Sequence, residues 1–249
     1  MSKSVSYGVA GYEEFRSRAR DPALSGNQKA GFPDSYRSGK SDAIIADIDA
    51  KLPGFGRPGS RVLDIGIGCS DLSSAIVARA VARDQELTLI DSHEVLSQLE
   101  DGPKIRKIEG PFPACLAGLE GAGLFDAILV YSVIQYVFAE SSLGSFTDAA
   151  MMLLAPRDAG LLIGDIPNAS MRKRFLASDA GRAYHAEHYP GQPEPKFRFN
   201  VPEPSQIDDA VVLGLVARAR ASGFQAFIVP QDAALPMGNR REDILIRRP

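Results

Sequence analysis

The segment Arg61-Val62-Leu63-Asp64-Ile65-Gly66-Ile67-Gly68-Cys69-Ser70 is a short apolar run, with one acid inside it, that leads into two glycines spaced by one residue. Residues 71–79, which follow it, have the composition of a helix. Strand, glycine turn and helix in this order open a βαβ unit of the nucleotide-binding kind. Gly66 and Gly68 allow the backbone to turn sharply and to approach a ligand closely. The segment therefore predicts an α/β fold with a ligand site at the two glycines.

The charges around this turn favour a cationic ligand over a pyrophosphate. A dinucleotide fingerprint, Gly-x-Gly-x-x-Gly, would need glycine at position 71, where this chain has Asp71. That acid would repel a pyrophosphate at a helix N-terminus, a place that otherwise favours anions. Asp64, inside the preceding strand, adds a second carboxylate. Two carboxylates suit a ligand that carries positive charge.

Composition excludes several classes of protein. The 249 residues fit one domain with elaborations, or at most two. A formal net charge of −3 offers no global electrostatic case for nucleic-acid binding. Two cysteines, Cys69 and Cys115, give no disulfide framework and favour a cytoplasmic location. We see no apolar segment of signal-peptide type and none long enough to span a membrane.

Six further segments predict the rest of a sheet; five are largely apolar, and residues 105–110 predict a weaker third strand. They are residues 86–91, 105–110, 124–133, 161–168, 226–230 and 243–247. Helical patterns cover residues 12–20, 41–52, 141–154 and 207–220, and Ser41 is the expected N-cap of the second. Residues 169–206 are rich in proline and predict a long irregular segment.

The order of these segments resembles the class I S-adenosylmethionine-dependent methyltransferases. The first motif of that family is usually written Val-Leu-Asp-x-Gly-x-Gly-x-Gly, and Ser70 stands here in place of the third glycine. Phe125-Asp126-Ala127-Ile128, before a continuous apolar run, is similar to the start of the family's fourth strand. The resemblance covers residues 61–249. It implies a single Rossmann-like α/β domain whose seven-stranded, mostly parallel sheet has helices on both faces and an antiparallel last strand, and it implies S-adenosylmethionine as cofactor.

The resemblance also implies a set of cofactor-binding residues. Asp91, at the end of the second strand, can accept hydrogen bonds from ribose hydroxyls, a role that nicotinamide enzymes share. Residues just past the third strand contact adenine in the family, and Glu109 and Phe112 hold that place. The turn after the fourth strand faces the transferred methyl group. The expected cofactor-binding residues are Asp64, Gly66, Gly68, Asp91, Ser92, Glu109, Phe112, Tyr131 and Ser132.

Acceptor-binding and catalytic residues follow from the ends of the later strands. Gln135, Tyr136, Asn168, Arg240 and Arg241 are expected to contact the acceptor, and paired arginines suit a phosphate or carboxylate. A sugar hydroxyl is a poor nucleophile and benefits from a general base. The candidates are His185, His188 and Asp165. His185 and His188 have the spacing of metal ligands, but no third ligand lies near them in sequence, so we predict no metal site.

The expected organisation has three parts. Residues 1–40 form an N-terminal arm or lid, in which residues 31–40 fold over the ligand. Residues 41–249 form the methyltransferase domain, and residues 169–206 are an inserted substrate-binding cover.

A narrower resemblance points to the acceptor. The segments 31–37, 131–137, 164–168 and 239–243 look like a bacterial methyltransferase subgroup associated with surface-polysaccharide gene sets. It implies a small, possibly anionic acceptor, with transfer to an oxygen of a sugar, sugar phosphate or polysaccharide precursor. The alternatives are a non-catalytic S-adenosylmethionine-binding regulatory protein, a nicotinamide-dependent reductase, and an RNA or protein methyltransferase. The sequence leaves the oligomeric state open.

Overall fold

A seven-stranded sheet forms the centre of the molecule. The structure, a computed structural model, describes residues 11–201, 203 and 205–249. The strand order is β3-β2-β1-β4-β5-β7-β6. The strands are β1 (Arg61–Ile65), β2 (Glu86–Asp91), β3 (Ile105–Glu109), β4 (Ala127–Tyr131), β5 (Gly160–Pro167), β6 (Gln225–Pro230) and β7 (Arg241–Arg247). Strands β1 to β5 pair in parallel, and β7 lies antiparallel between β5 and β6. The predicted fold class is therefore confirmed.

Helices precede, connect and cover these strands. They are α1 (Tyr12–Arg20), α2 (Gly26–Lys29), α3 (Asp34–Arg37), α4 (Ser41–Lys51), α5 (Pro53–Gly56), α6 (Asp71–Ala82), α7 (His93–Leu96), α8 (Ile134–Glu140), α9 (Leu143–Met152), α10 (Ala169–Leu176), α11 (Asp179–His188) and α12 (Asp209–Ala221). Within the described ranges, none is long and apolar enough to cross a lipid bilayer.

The core has two layers because successive side chains of a strand point to opposite faces of the sheet. In β1, Leu63 and Ile65 belong to the layer that α9 and α12 cover. Val62 belongs to the layer that α4 and α6 cover. Asp64 follows the same alternation towards the α4–α6 side, and it is a buried carboxyl on a strand that is otherwise apolar there. The alternation therefore directs the Asp64 side chain to the α4–α6 side of the sheet, although the run around it is apolar.

The prediction of an irregular segment at 169–206 is wrong in its first half, which holds α10 and α11. Each helix begins at a polar cap that its own sequence supplies. The Asn168 side chain accepts hydrogen bonds from the backbone N–H groups of Ser170 and Met171, at 2.8 and 3.1 Å. The Ser178 hydroxyl accepts one from Gly181 at 3.2 Å. These caps outweigh the weak apolar periodicity of both segments.

The expected N-cap at Ser41 is also wrong. Lys40 holds that position, because its carbonyl accepts the first helical bond, from the Ile44 N–H at 3.0 Å. A tight turn in which the Lys40 N–H donates to the Arg37 carbonyl sets this start. Of the predicted N-terminal arm, α1 is confirmed as a helix, and residues 1–10 lie outside the described residues.

Candidate active site

A cavity of about 510 Å³ opens at the carboxyl ends of β1, β2 and β4. In an open parallel sheet, ligands bind at this edge, where the strand order reverses. The order here reverses at β1, which lies between β2 and β4. The cavity is large enough for a nucleoside-sized ligand.

The glycine turn after β1 forms the floor of the cavity. Gly66 and Gly68 have φ values of 79° and 68°, in the region that side chains disfavour. A Cβ atom at Gly66 would lie 2.6 Å from a methyl carbon of Val133, so the turn also depends on close packing there. The Gly68 N–H donates to the Asp91 carboxylate at 3.0 Å. The turn is therefore held against the end of β2.

Two carboxyl groups lie at this floor, the buried Asp64 and the half-buried Asp91. Burial, together with the smaller effect of the nearby Asp91 carboxylate, raises the pKa of Asp64 to about 8. Burial also raises the pKa of Asp91, although hydrogen bonds from the backbone N–H groups of Gly68 and Ser92 oppose that shift. Asp91 lines the cavity and Asp64 lies behind the lining. A cation bound there would favour the ionised forms of both.

An apolar wall lies beside the end of β3. Phe112 lines the cavity and meets Phe146 edge to face, with ring centroids 5.1 Å apart. The sequence predicted Phe112 at the site, and the structure places it in the wall of the cavity. Glu109 and Ser92 are not part of the lining. Glu109 is exposed and hydrogen-bonded to His93 at 2.8 Å, and buried Ser92 caps α7.

The N-terminal segment forms the opposite wall of the cavity. Tyr12 and Phe15 of α1, and Phe32 just before α3, line it. Phe15 packs edge to face against Tyr136 at 4.6 Å, and the Tyr12 N–H donates to the Glu140 carboxylate at 2.9 Å. Residues of the segment 12–37 therefore form one wall of the cavity, and their closing over a ligand stays a prediction.

Arg37 fastens this segment to the sheet. Its side chain is 8% exposed, donates to the Ser132 hydroxyl at 2.9 Å and forms an ion pair with Asp165. Arg241 donates to the same Asp165 oxygen at 2.7 Å, and the Ser132 hydroxyl also bonds to it. Both arginines stack on Phe32, at 4.0 and 5.5 Å. We call these residues (Phe32, Arg37, Ser132, Asp165 and Arg241) the latch.

The backbone of the latch adopts an unfavourable conformation at two positions, Ser132 directly after β4 and Asp165 at the irregularity in the pairing of β5 with β7. Ser132 and Asp165 have φ values of 62° and 59°. Such positions in residues other than glycine persist only where the surroundings impose them, and they concentrate at functional sites. The hydrogen bonds of the latch supply that constraint here.

The three predicted base candidates do not line the cavity. Asp165 is buried in the latch. His185 stacks on Tyr189 at 5.3 Å, and its Nε2 atom is buried without a hydrogen-bond partner among the described residues. His188 lies on a separate groove. Their catalytic role stays a prediction.

The predicted acceptor residues separate in space. Tyr136 lines the cavity, and Gln135 beside it donates to the Ser132 carbonyl at 2.8 Å. Asn168 caps α10 and donates to Asp209 at 2.8 Å, so it holds structure together. Arg241 belongs to the latch. Arg240 lies on the separate groove.

That groove, of about 480 Å³, is referred to below as the second groove. Its lining residues are Ser35, Tyr36, Tyr184, His188, Met237, Asn239 and Arg240. Ser35 and Tyr36 belong to α3, and Arg37, the last residue of the same helix, lines the main cavity. Helix α3 therefore separates the two spaces.

Sequence reasoning missed several cavity residues. They are Tyr12, Phe15, Asn27, Lys29, Glu140 and Phe146. The aromatic pair at i and i+3 in the predicted helix 12–20 was a usable signal for α1, because it marks one apolar face. No pattern in the sequence pointed to Glu140. Among the described residues, no group of three or more His, Cys, Asp or Glu side chains is placed to hold a metal ion.

Comparison with known proteins supports the fold. No family model matches the sequence, and no curated protein matches it. Among solved structures, the plantazolicin methyltransferase BamL, in complex with a triazolic desmethylPZN analog and SAH, is 15% identical with a TM-score of 0.58, and the match covers 97% of this chain and 98% of that chain.

Two further structures are similar. The plantazolicin methyltransferase BpumL, in complex with a monoazolic desmethylPZN analog and SAH, is 13% identical with a TM-score of 0.55, over 96% of this chain and 98% of that chain. The pyocyanin biosynthetic protein PhzM is 14% identical with a TM-score of 0.52, over 96% of this chain and 62% of that chain. The chain has the Rossmann-like fold of these structures, the two plantazolicin methyltransferases among them.

Proposed function

We propose that this protein transfers the methyl group of S-adenosylmethionine to an oxygen of a small-molecule acceptor. The observation that carries the proposal is that the Asp91 carboxylate and the Gly66–Gly68 turn border one cavity at the carboxyl end of the sheet. A nucleoside ribose matches an acid in that position. The fold shared with the SAH-bound plantazolicin methyltransferases supports the same assignment.

The lining suits each part of the cofactor. Asp91 would bind the ribose hydroxyls, and Phe112 with Phe146 offers an apolar wall for adenine. Asp64 and Asp91 favour a ligand with positive charge, as a sulfonium and an amino group provide. Asn27 and Lys29 are donors within reach of a carboxylate in the same cavity.

The protein's contribution to the reaction is alignment and exclusion of water. The cofactor, when bound, supplies a methyl group that is already activated. Residues of the segment 12–37 form one wall of the cavity; we expect them to close over the ligand and limit water access, with the latch holding them in place. The half-buried Tyr136 hydroxyl keeps its proton and can donate a hydrogen bond, and burial raises its pKa further from neutrality.

For the acceptor, we propose an oxygen nucleophile on a sugar, a sugar phosphate or a polysaccharide precursor. Asp91 and Glu140 are the described carboxyl residues that line the cavity, and no described histidine does. This set favours an acceptor oxygen that is already ionised, such as a phosphate or carboxylate, since it needs no base. For a hydroxyl acceptor, Glu140 would act as the base, since its carboxylate lines the cavity. The free cysteines agree with action in the cytoplasm.

A nicotinamide-dependent reductase is disfavoured by the start of α6. Asp71 occupies its first turn and accepts a hydrogen bond from Asn27 at 3.4 Å. A pyrophosphate at that helix end would meet this carboxylate. A non-catalytic binding protein would share the cavity and differ only in transferring no methyl group.

Calorimetric titration with S-adenosylmethionine, SAH and NAD tests the proposal. We expect binding of the first two, lost in Asp91→Asn and retained in the matched control Asp101→Asn, an acid whose side chain is 92% exposed. Binding of NAD alone would refute the proposal. SAH formation during incubation with sugar phosphates then separates an enzyme from a binding protein, for which no acceptor would yield SAH.

A further inference from the structure

The second groove is lined by hydrogen-bond donors and aromatic rings. Ser35, Tyr36 and Tyr184, which carry hydroxyl groups, line it together with Arg240. None of its lining residues is an acid. Glu187 approaches His188 to 3.9 Å, but its side chain is 79% exposed and lies outside the lining. The groove therefore presents a surface suited to an anion.

Arg240 is held in place without a counter-ion. It donates to the Tyr184 hydroxyl at 3.1 Å, and its guanidinium lies 5.4 Å from the centre of the Tyr184 ring. Among the described residues, Arg240 forms no ion pair, and its buried Nε atom has no hydrogen-bond partner. Its neighbour Arg241, by contrast, is paired with Asp165. A half-buried cation with an unused donor is completed by an anionic ligand.

His188 and Tyr184 are oriented for the same ligand. Their rings stack at 4.1 Å with planes 20° apart. His188 Nδ1 donates to the Tyr184 carbonyl at 3.0 Å, which leaves Nε2 as the ring atom available to a ligand. Burial raises the pKa of Tyr36, so its hydroxyl stays a donor. The groove thus combines aromatic rings, on which a sugar ring or a flat group can pack, with the hydrogen-bond donors of its lining residues.

From this arrangement we infer that the second groove binds an anionic group of the acceptor, a phosphate or a carboxylate distinct from the oxygen that receives the methyl group. Resting on the proposed function, the inference assigns to Arg240 the recognition of charge and to the main cavity the transfer itself. Helix α3 contributes Arg37 to the cavity and Tyr36 to the groove, so one four-residue helix contacts both ligands. Arg241, paired with Asp165 in the latch, has on this inference the role of positioning that helix.

The test is a titration of the full-length protein followed by the ¹H–¹⁵N signals of arginine Nε–H groups. The probes are glucose 1-phosphate, glucuronate and neutral glucose, which separate phosphate, carboxylate and uncharged ligands. We expect saturable shifts of the Arg240 signal, with a dissociation constant of about 1 mM or tighter, for one or both anions. Neutral glucose should bind at least about tenfold more weakly, because it lacks the charge-assisted bonds.

The variants make the result specific. Arg240→Met should weaken anion binding at least about tenfold, and Arg240→Lys should lose less. The matched control Arg106→Met, which removes an exposed arginine from β3, should leave binding unchanged. Equal binding of glucose and glucose 1-phosphate, or unchanged anion binding in Arg240→Met, would overturn the inference.

SAH titration of the same samples keeps the two proposals apart. Wild type and Arg240→Met should bind SAH alike, since Arg240 is not part of the cavity lining. SAH binding with no anion binding overturns the second groove alone. Failure to bind SAH overturns the proposed function whatever the groove binds.

Discussion

Replacing Gly66 by alanine should destabilise the protein for two separable reasons. The residue has a φ of 79°, and an alanine in that region costs about 1–2 kcal/mol. Its Cβ would also lie 2.6 Å from the Val133 Cγ2 atom, which is too close for any real Cβ contact. Forcing extra volume into a packed site adds about 1–3 kcal/mol. We therefore expect Gly66→Ala to lower the free energy of unfolding by about 2–5 kcal/mol.

Gly59 provides the matched control for backbone strain. Its φ is 68°, and nothing lies within 4 Å of the Cβ that alanine would add. Gly59→Ala should therefore cost only the first contribution of about 1–2 kcal/mol, reduced by the lower entropy of the unfolded chain. The difference between the two variants measures the contact with Val133.

A double-mutant cycle isolates that contact. Val133→Ala removes the two methyl groups that the new Cβ would strike, so Gly66→Ala should cost less in the Val133→Ala background by about 1–3 kcal/mol. The assay is urea unfolding of the four proteins of the cycle and of Gly59→Ala. Equal losses for Gly66→Ala and Gly59→Ala, with no coupling to Val133, would refute the steric argument.

Three further predictions concern the latch, the buried acid and the helix cap. Arg37→Met leaves Asp165 with one guanidinium partner. The variant should lower the free energy of unfolding by about 2–3 kcal/mol and expose residues 12–37 to trypsin, and unchanged proteolysis would contradict this. Asp64 has a folded pKa of about 8, so the native state keeps a proton that the unfolded state releases above pH 4. Wild type should therefore lose stability relative to Asp64→Asn as pH rises from 5 to 8. A difference between the two in urea unfolding that does not change with pH would exclude this. Asn168→Ala removes the α10 cap and should cost about 2 kcal/mol in thermal unfolding with SAH affinity retained, whereas a selective loss of SAH binding would place this residue in the site.

The local pattern of the sequence was sufficient for the sheet. The central strands β1, β2, β4 and β5 are largely apolar runs, and such runs are buried on both faces in a parallel sheet, whereas β3 is a weaker, partly exposed pattern. The glycine turn and Asp91 were also readable, because a positive φ and a strand-end carboxylate are set by residues adjacent in the chain. For the same reason, the caps at Asn168 and Ser178 were present in the sequence, although the prolines near them favoured an irregular segment.

The site depended on contacts that no local pattern contains. Arg37 meets Asp165 across 128 positions of sequence, and Tyr12 meets Glu140 across the same separation. The adjacent Arg240 and Arg241 look equivalent in sequence, yet one completes the latch and the other lines the second groove, because neighbouring side chains at the start of β7 diverge.

The sequence by itself therefore determined the strands, their glycine turn and the carboxylate beside it, since these follow from periodicity and backbone sterics within a few residues. Only the tertiary structure decided that residues of the segment 12–37 form a wall of the cavity, that Asp165 is tied into the latch, and that His188 lies on a separate groove. These placements arise from packing between elements far apart in the chain, where burial and charge pairing are settled together.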